Sequence, residues 1–196
     1  MASVINGLDR VIEWSNFNTV TEPEPDEESQ AAYTAATFIF SAINASQVAG
    51  VTPAVFRIQD NLVVNVRMNP YPDPASNSWK TSWMMAWPAD RKAALLTHER
   101  GHYKITGLVG RDCMNAIRDI RTQDFSSVQE AISQAQSIIS EYNSLSSTIN
   151  TLYDAANQTR HGVRADIQTI WNGYLNTAQT QGTALRSVLQ SAGLSV

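Results

Sequence analysis

Leu95-Leu96-Thr97-His98-Glu99-Arg100-Gly101-His102-Tyr103-Lys104-Ile105 is the segment that decides the fold. Leu95, His98, His102, Ile105, Val109, Ala116 and Ile120 recur at three-, four- and seven-residue steps. That spacing is the stripe of one long helix, and both histidines lie within it. Side chains four residues apart stand one above the other on a helix face, so His98 and His102 can ligate one zinc ion. Glu99 lies beside that face. A carboxylate there can hold the attacking water and take its proton, which makes Glu99 the expected general base. Pro88 and Asp90 mark the start of the helix, with Asp90 as the expected N-cap. The helix is expected to run to about residue 122.

A catalytic zinc has three protein ligands plus water. An extended metzincin motif would place glycine at 105 and histidine at 108. Ile105 and Leu108 stand there, which excludes it. Four candidates for the third ligand remain: His161, Asp154, Asp112 and Glu141. His161 is preferred, because the chain has only 3 histidines and two already form the motif. Asp154 is then a candidate to orient an imidazole N–H. Tyr153 and Tyr103 are candidate phenol donors to an oxyanion.

Upstream of this helix, residues 1–88 read as strand and loop. Leu62-Val63-Val64-Asn65-Val66-Arg67-Met68 alternates apolar and polar with period two and predicts a half-buried strand. Val11–Trp14, Thr34–Ile43 and Val55–Ile58 are further strand candidates. Glu22-Pro23-Glu24-Pro25-Asp26-Glu27-Glu28 predicts a solvated loop. Pro70, Pro72 and Pro74 end regular structure, and Trp79, Trp83 and Trp87 are expected to cover one side of the core. Downstream, residues 123–196 read as helical. Val128 to Leu152 keeps a 3.5 to 3.6 spacing, Asn157–Gly162 interrupts it, and a last helix is expected over Ala165–Gln190.

Composition bounds the function. A chain of 196 residues can bury a core as one domain. A net charge of −4, with no cluster of Lys or Arg, argues against nucleic acid as the main partner. Cys113 is the sole cysteine, so an intrachain disulfide and a cysteine-rich zinc site are both excluded. No apolar run approaches the ~20 residues that span a bilayer. The first ten residues lack a basic n-region and an apolar h-region, so they are not a Sec signal as written. A cytoplasmic or unconventionally exported protein and a mature secreted domain both fit.

The motif segment also resembles the core of a bacterial family of unknown function described as predicted secreted zinc-dependent proteases. Trp14-Ser15-Asn16-Phe17, Ser78-Trp79 or Ser82-Trp83, Tyr153-Asp154, Thr159 and His161-Gly162 are similar to its other elements. The spacing from Tyr153-Asp154 to His161 is longer than the family pattern. The resemblance covers roughly residues 11 to 171 and implies zinc, a protein or peptide substrate, and a secreted or periplasmic location. The order of elements matches an α+β, zincin-like domain: a small N-terminal β-sheet packed on the motif helix, then C-terminal helices. Leu62–Met68 is the expected substrate-side strand at the sheet edge. The expected activity is a zinc metallopeptidase. A non-peptidase zinc amidohydrolase and a metal-binding interaction module without turnover are the alternatives.

Overall fold

The computed structural model describes residues 3–21, 31–68 and 78–196. The acidic stretch at 22–28 and the proline run at 70–74 lie outside the described residues. The motif segment sits in the helix α1, Ala89–Asp119, which a 3-10 turn, Ile120–Thr122, continues. Asp90 does not cap it. The cap position is Pro88, whose extended ψ of 150° starts the helix without a side-chain hydrogen bond. Asp90 instead lies in the first turn, where its charge faces the positive end of the helix dipole.

Among the described residues, eight strands, numbered in chain order, form three small sheets. The first joins β1 (Val4–Asn6), β7 (Val63–Met68) and β4 (Ala36–Phe40) in the order β1-β7-β4. The second joins β2 (Asn18–Val20), β8 (Trp79–Thr81) and β3 (Ala32–Tyr33) in the order β2-β8-β3. The third is a ribbon of β5 (Ala45–Gln47) and β6 (Phe56–Ile58). In β7 the alternation holds: Val64, Val66 and Met68 are buried, while Asn65 and Arg67 are exposed. Burying each such side chain contributes about 1.5–3 kcal/mol. The strand is not an edge. It pairs parallel with β1 over Val63–Asn65 on one side and antiparallel with β4 over Val64–Met68 on the other, so it lies between two strands rather than at the border of the sheet.

Two other strand expectations change. Val11–Trp14 forms no strand. The Arg100 guanidinium, from α1, takes the Ile12 carbonyl at 2.8 Å and the Glu13 carboxylate, and a 3-10 turn follows at Trp14–Asn16. Thr34–Ile43 holds one strand, but a shorter one: β4 covers Ala36–Phe40, and Thr34-Ala35 form a break between it and β3 of the second sheet. Trp83 and Trp87, with rings 5.3 Å apart, cover a separate small cluster of Ala31, Ala32, Met84 and Leu95.

Three helices follow. α2 spans Val128–Asp154, with Ser127 Oγ accepting from the Glu130 amide at 3.1 Å. α3 spans Ala165–Gln181 and α4 spans Leu185–Ser191. The single helix expected over Ala165–Gln190 is thus two. Gly182 takes the left-handed conformation (φ 67°) that ends α3. The first sheet and the later helices both pack on α1, which is why α1 is buried on more than one side. One main core runs from Ile12 and Phe38 through Ile105 and Leu108 to Ile149, Trp171 and Leu189. Among the described residues, no helix is long and apolar enough to cross a membrane.

Candidate metal centre

α1 carries His98, Glu99 and His102 into the interior, with relative exposures of 1%, 2% and 8%. The last residue of α2, Asp154, meets them there. Asp154 Oδ1 lies 3.0 Å from His98 Nε2 and 3.0 Å from His102 Nε2, and the two nitrogens are 3.1 Å apart.

Neighbouring carbonyls fix what these atoms are. Backbone carbonyls only accept. Tyr153 Oη therefore donates to the His98 carbonyl at 3.3 Å. Gln168 Nε2 donates in turn to Tyr153 Oη and to Asn172 Oδ1. That turns Gln168 Oε1 toward His98 Nδ1 at 3.2 Å, so Nδ1 must carry the proton. Asn150 Nδ2 donates to the Ser146 carbonyl at 2.8 Å, which leaves Asn150 Oδ1 facing His102 Nδ1 at 2.7 Å. Both rings are thus protonated at Nδ1 and present the Nε2 lone pair. Two imidazole lone pairs and a carboxylate oxygen thus converge on one point. Such a set needs a cation or a proton. Ligands about 2.1 Å from a tetrahedral zinc stand roughly 3.4 Å apart. The observed spacings are a few tenths shorter, so the donor set fits a zinc-sized ion.

The electrostatics agree. Burial opposes ionisation of Asp154, but the contacts with His102, His161 and His98 outweigh it and hold its carboxyl far below the usual range. Burial likewise opposes charge on His102. The contacts with Asp154, the nearby Glu99 and Asn150 overcome it and raise its pKa.

The structure brings Asp154, one of the four candidate ligands, up to the two histidines, with His161 beside it. Asp154 supplies the third converging atom, and His161 Nδ1 lies 3.4 Å from that same Asp154 oxygen. This hydrogen bond raises the pKa of His161, against a smaller opposing effect of burial. Arg160 and His161 hold left-handed backbone (φ 48° and 50°), and Gly162 follows at φ 79°. A Cβ at Gly162 would lie 2.8 Å from His98 Cβ, so only glycine lets the loop pass over that ring. Thr159, fully buried, pins the loop by donating its hydroxyl to the Tyr153 carbonyl.

Gly101 has a comparable role inside the motif. A Cβ there would lie 2.1 Å from Tyr153 Oη. Its absence admits Tyr153, whose ring stacks on His98 at 4.6 Å and 9°. The Tyr153 hydroxyl is committed to His98 and Gln168, and burial raises its pKa. Tyr103 faces the first sheet instead. Its hydroxyl reaches the Gly7 and Val66 carbonyls at 2.9 and 3.1 Å. Asp112 is engaged elsewhere. Its Oδ1 takes Arg111, and its Oδ2 takes the Leu185 amide at 2.7 Å, which caps α4. Glu141 is exposed and pairs with Arg186 at 3.5 Å.

Comparison with known protein families, curated proteins and solved structures returns no match to this chain. The site is therefore read from its own chemistry. Thr34, Asn150 and Gln168 are the residues that sequence reasoning missed. They stand 65, 48 and 70 positions from their partners Glu99, His102 and His98. No local pattern marks them.

Proposed function

We propose that this chain is a zinc-dependent hydrolase of amide bonds, with peptides as its substrates. The observation that carries the reading is the meeting of His98 Nε2, His102 Nε2 and Asp154 Oδ1 within 3.1 Å. Glu99 gives the reading its catalytic side. It is a buried carboxylate one residue along the same helix, and a structural metal site has no use for it. A divalent metal bound to these three atoms would polarise the scissile carbonyl and acidify a water. Glu99 accepts the proton of that water and later returns it to the leaving amine. Asn150 and Gln168 hold the imidazoles in the Nδ1–H form and so keep the Nε2 lone pairs turned inward.

A motif helix with a sheet on one side, and a carboxylate ligand from a later helix, supports a zincin-like plan of the gluzincin kind. The resemblance to predicted secreted zinc proteases points the same way. The test is elemental analysis of the purified chain together with casein cleavage by wild type and Glu99→Gln. About one zinc per chain in both is expected. Cleavage should fall by about 10²- to 10⁴-fold in the variant, because a carboxamide cannot take the proton. Equal cleavage by the two proteins sinks the hydrolytic reading. A wild type that takes up no zinc on reconstitution sinks the metal reading as well.

A further inference from the structure

Glu99 is held from outside its own helix. Its Oε2 accepts a 2.6 Å hydrogen bond from the Thr34 hydroxyl, and both residues are buried. Thr34 lies at the gap between β3 and β4, where the chain leaves the second sheet for the first. Ser78, immediately before β8, closes that gap. Its Oγ accepts from the Ala35 amide and donates to the Ala35 carbonyl, each at 3.0 Å. A side chain thus satisfies backbone groups that a continuous strand would give to a ladder. The strand can break there at little cost, and the break turns Thr34 onto α1. The β-branch restricts Thr34 at χ1, so the backbone aims the hydroxyl.

We propose that Thr34 is a positioning residue for Glu99: it engages Oε2 and leaves Oε1 to take the proton. The inference rests on the hydrolytic reading above. In that reaction one water O–H proton passes to Glu99 Oε1 as the water oxygen bonds to the amide carbon. The C–N bond then breaks, and the same proton moves from Oε1 to the leaving nitrogen. One water and one amide give one carboxylic acid and one amine, and Glu99 ends as it began. A carboxylate pinned at one oxygen keeps the other aimed through both transfers. Misplacing such a group by about 1 Å can cost on the order of 100-fold in rate.

The experiment compares wild type, Thr34→Val and Thr34→Ser, each loaded with zinc, on fluorescein-labelled casein. Valine keeps the shape and removes only the hydroxyl. Thr34→Val should lower kcat by about tenfold or more and leave KM within about twofold. Zinc content should not change. Thr34→Ser restores the donor and should return kcat to within about threefold of wild type. A second measurement needs no activity. Urea unfolding of the zinc-free proteins should show that Thr34→Val costs less in a Glu99→Ala background than alone, since the contact is already gone. Unchanged kcat in Thr34→Val, or additive effects in that cycle, overturns the inference and leaves the metal reading standing. A wild type that binds zinc but never cleaves casein overturns the hydrolytic reading, and the role of Thr34 with it.

Discussion

Replacing Gly101 with alanine inverts an ordinary rule. In an exposed helix interior, alanine is about 1 kcal/mol more favourable than glycine. At Gly101 the added Cβ would lie 2.1 Å from Tyr153 Oη, 2.6 Å from Cζ and 2.9 Å from Cε1. Tyr153 has no exposed surface into which to move. It must leave its stack on His98 and its bond to the His98 carbonyl. Overpacking of this kind costs about 1–3 kcal/mol. The lost hydrogen bond adds about 1 kcal/mol and the lost ring contact about the same. Less the helix-propensity gain, the net is a destabilisation of about 2–4 kcal/mol. Gly173 is the control. It lies inside α3, is exposed, and has nothing within 4 Å of an added Cβ. Gly173→Ala should stabilise by about 0.5–1 kcal/mol. Urea unfolding of the two zinc-free variants beside wild type measures both. The packing argument fails if Gly101→Ala is as stable as wild type, or if both changes shift the midpoint the same way.

Two further predictions bear on the ligands. Asp154→Asn should weaken zinc binding, read by chelator competition, by more than the roughly 10- to 100-fold typical of changes behind a ligand, whereas His161→Ala should fall within that range; the reverse order would make His161, and not Asp154, the third ligand. The second prediction concerns pH. Asp154 has a lowered folded pKa, so its contribution is present above about 3.9 and is lost as pH falls through the folded value. His102 has a raised folded pKa, so its contribution is complete below about 6.5 and is lost as pH rises through that raised value. The zinc-free protein should therefore be most stable between about pH 4 and 6.5 in this respect and weaken on the alkaline side, while zinc affinity climbs over the same rise as the His102 proton leaves. Denaturation midpoints of chelator-treated protein that increase steadily from pH 6 to 9 would contradict it.

Features set by neighbours along the chain were legible in the sequence. The helical stripe through His98 and His102 and the alternation through Val64, Val66 and Met68 both appear as read, because helix and strand periods are local properties. Pairing is not local. Nothing in Leu62–Met68 says that strands flank it on both sides, since alternation reports the faces of a strand and not its sides. The break at Thr34-Ala35 depends on Ser78, 43 positions away, and the end of α3 shows Gly182 but not Asp112, whose carboxylate caps α4 from α1. Asp154 and His161 were both visible as candidates. Which of them meets the two histidines was not, because that depends on where the end of α2 falls relative to α1.

That end of α2 is also an electrical terminal. Aligned peptide dipoles leave about half a negative charge at the C-terminus of a helix, and proteins commonly offset it with Lys or Arg. The last turn of α2 contains no basic residue and closes on Asp154, so a carboxylate is added to a pole already negative. The chain leaves that pole uncompensated by its own side chains within the turn. A divalent cation seated against Asp154 would supply the counter-charge from outside the sequence, worth about 0.3–2 kcal/mol to the helix end. Metal uptake and the integrity of the last turn of α2 would then rise and fall together, and the ion would be part of what ends the helix.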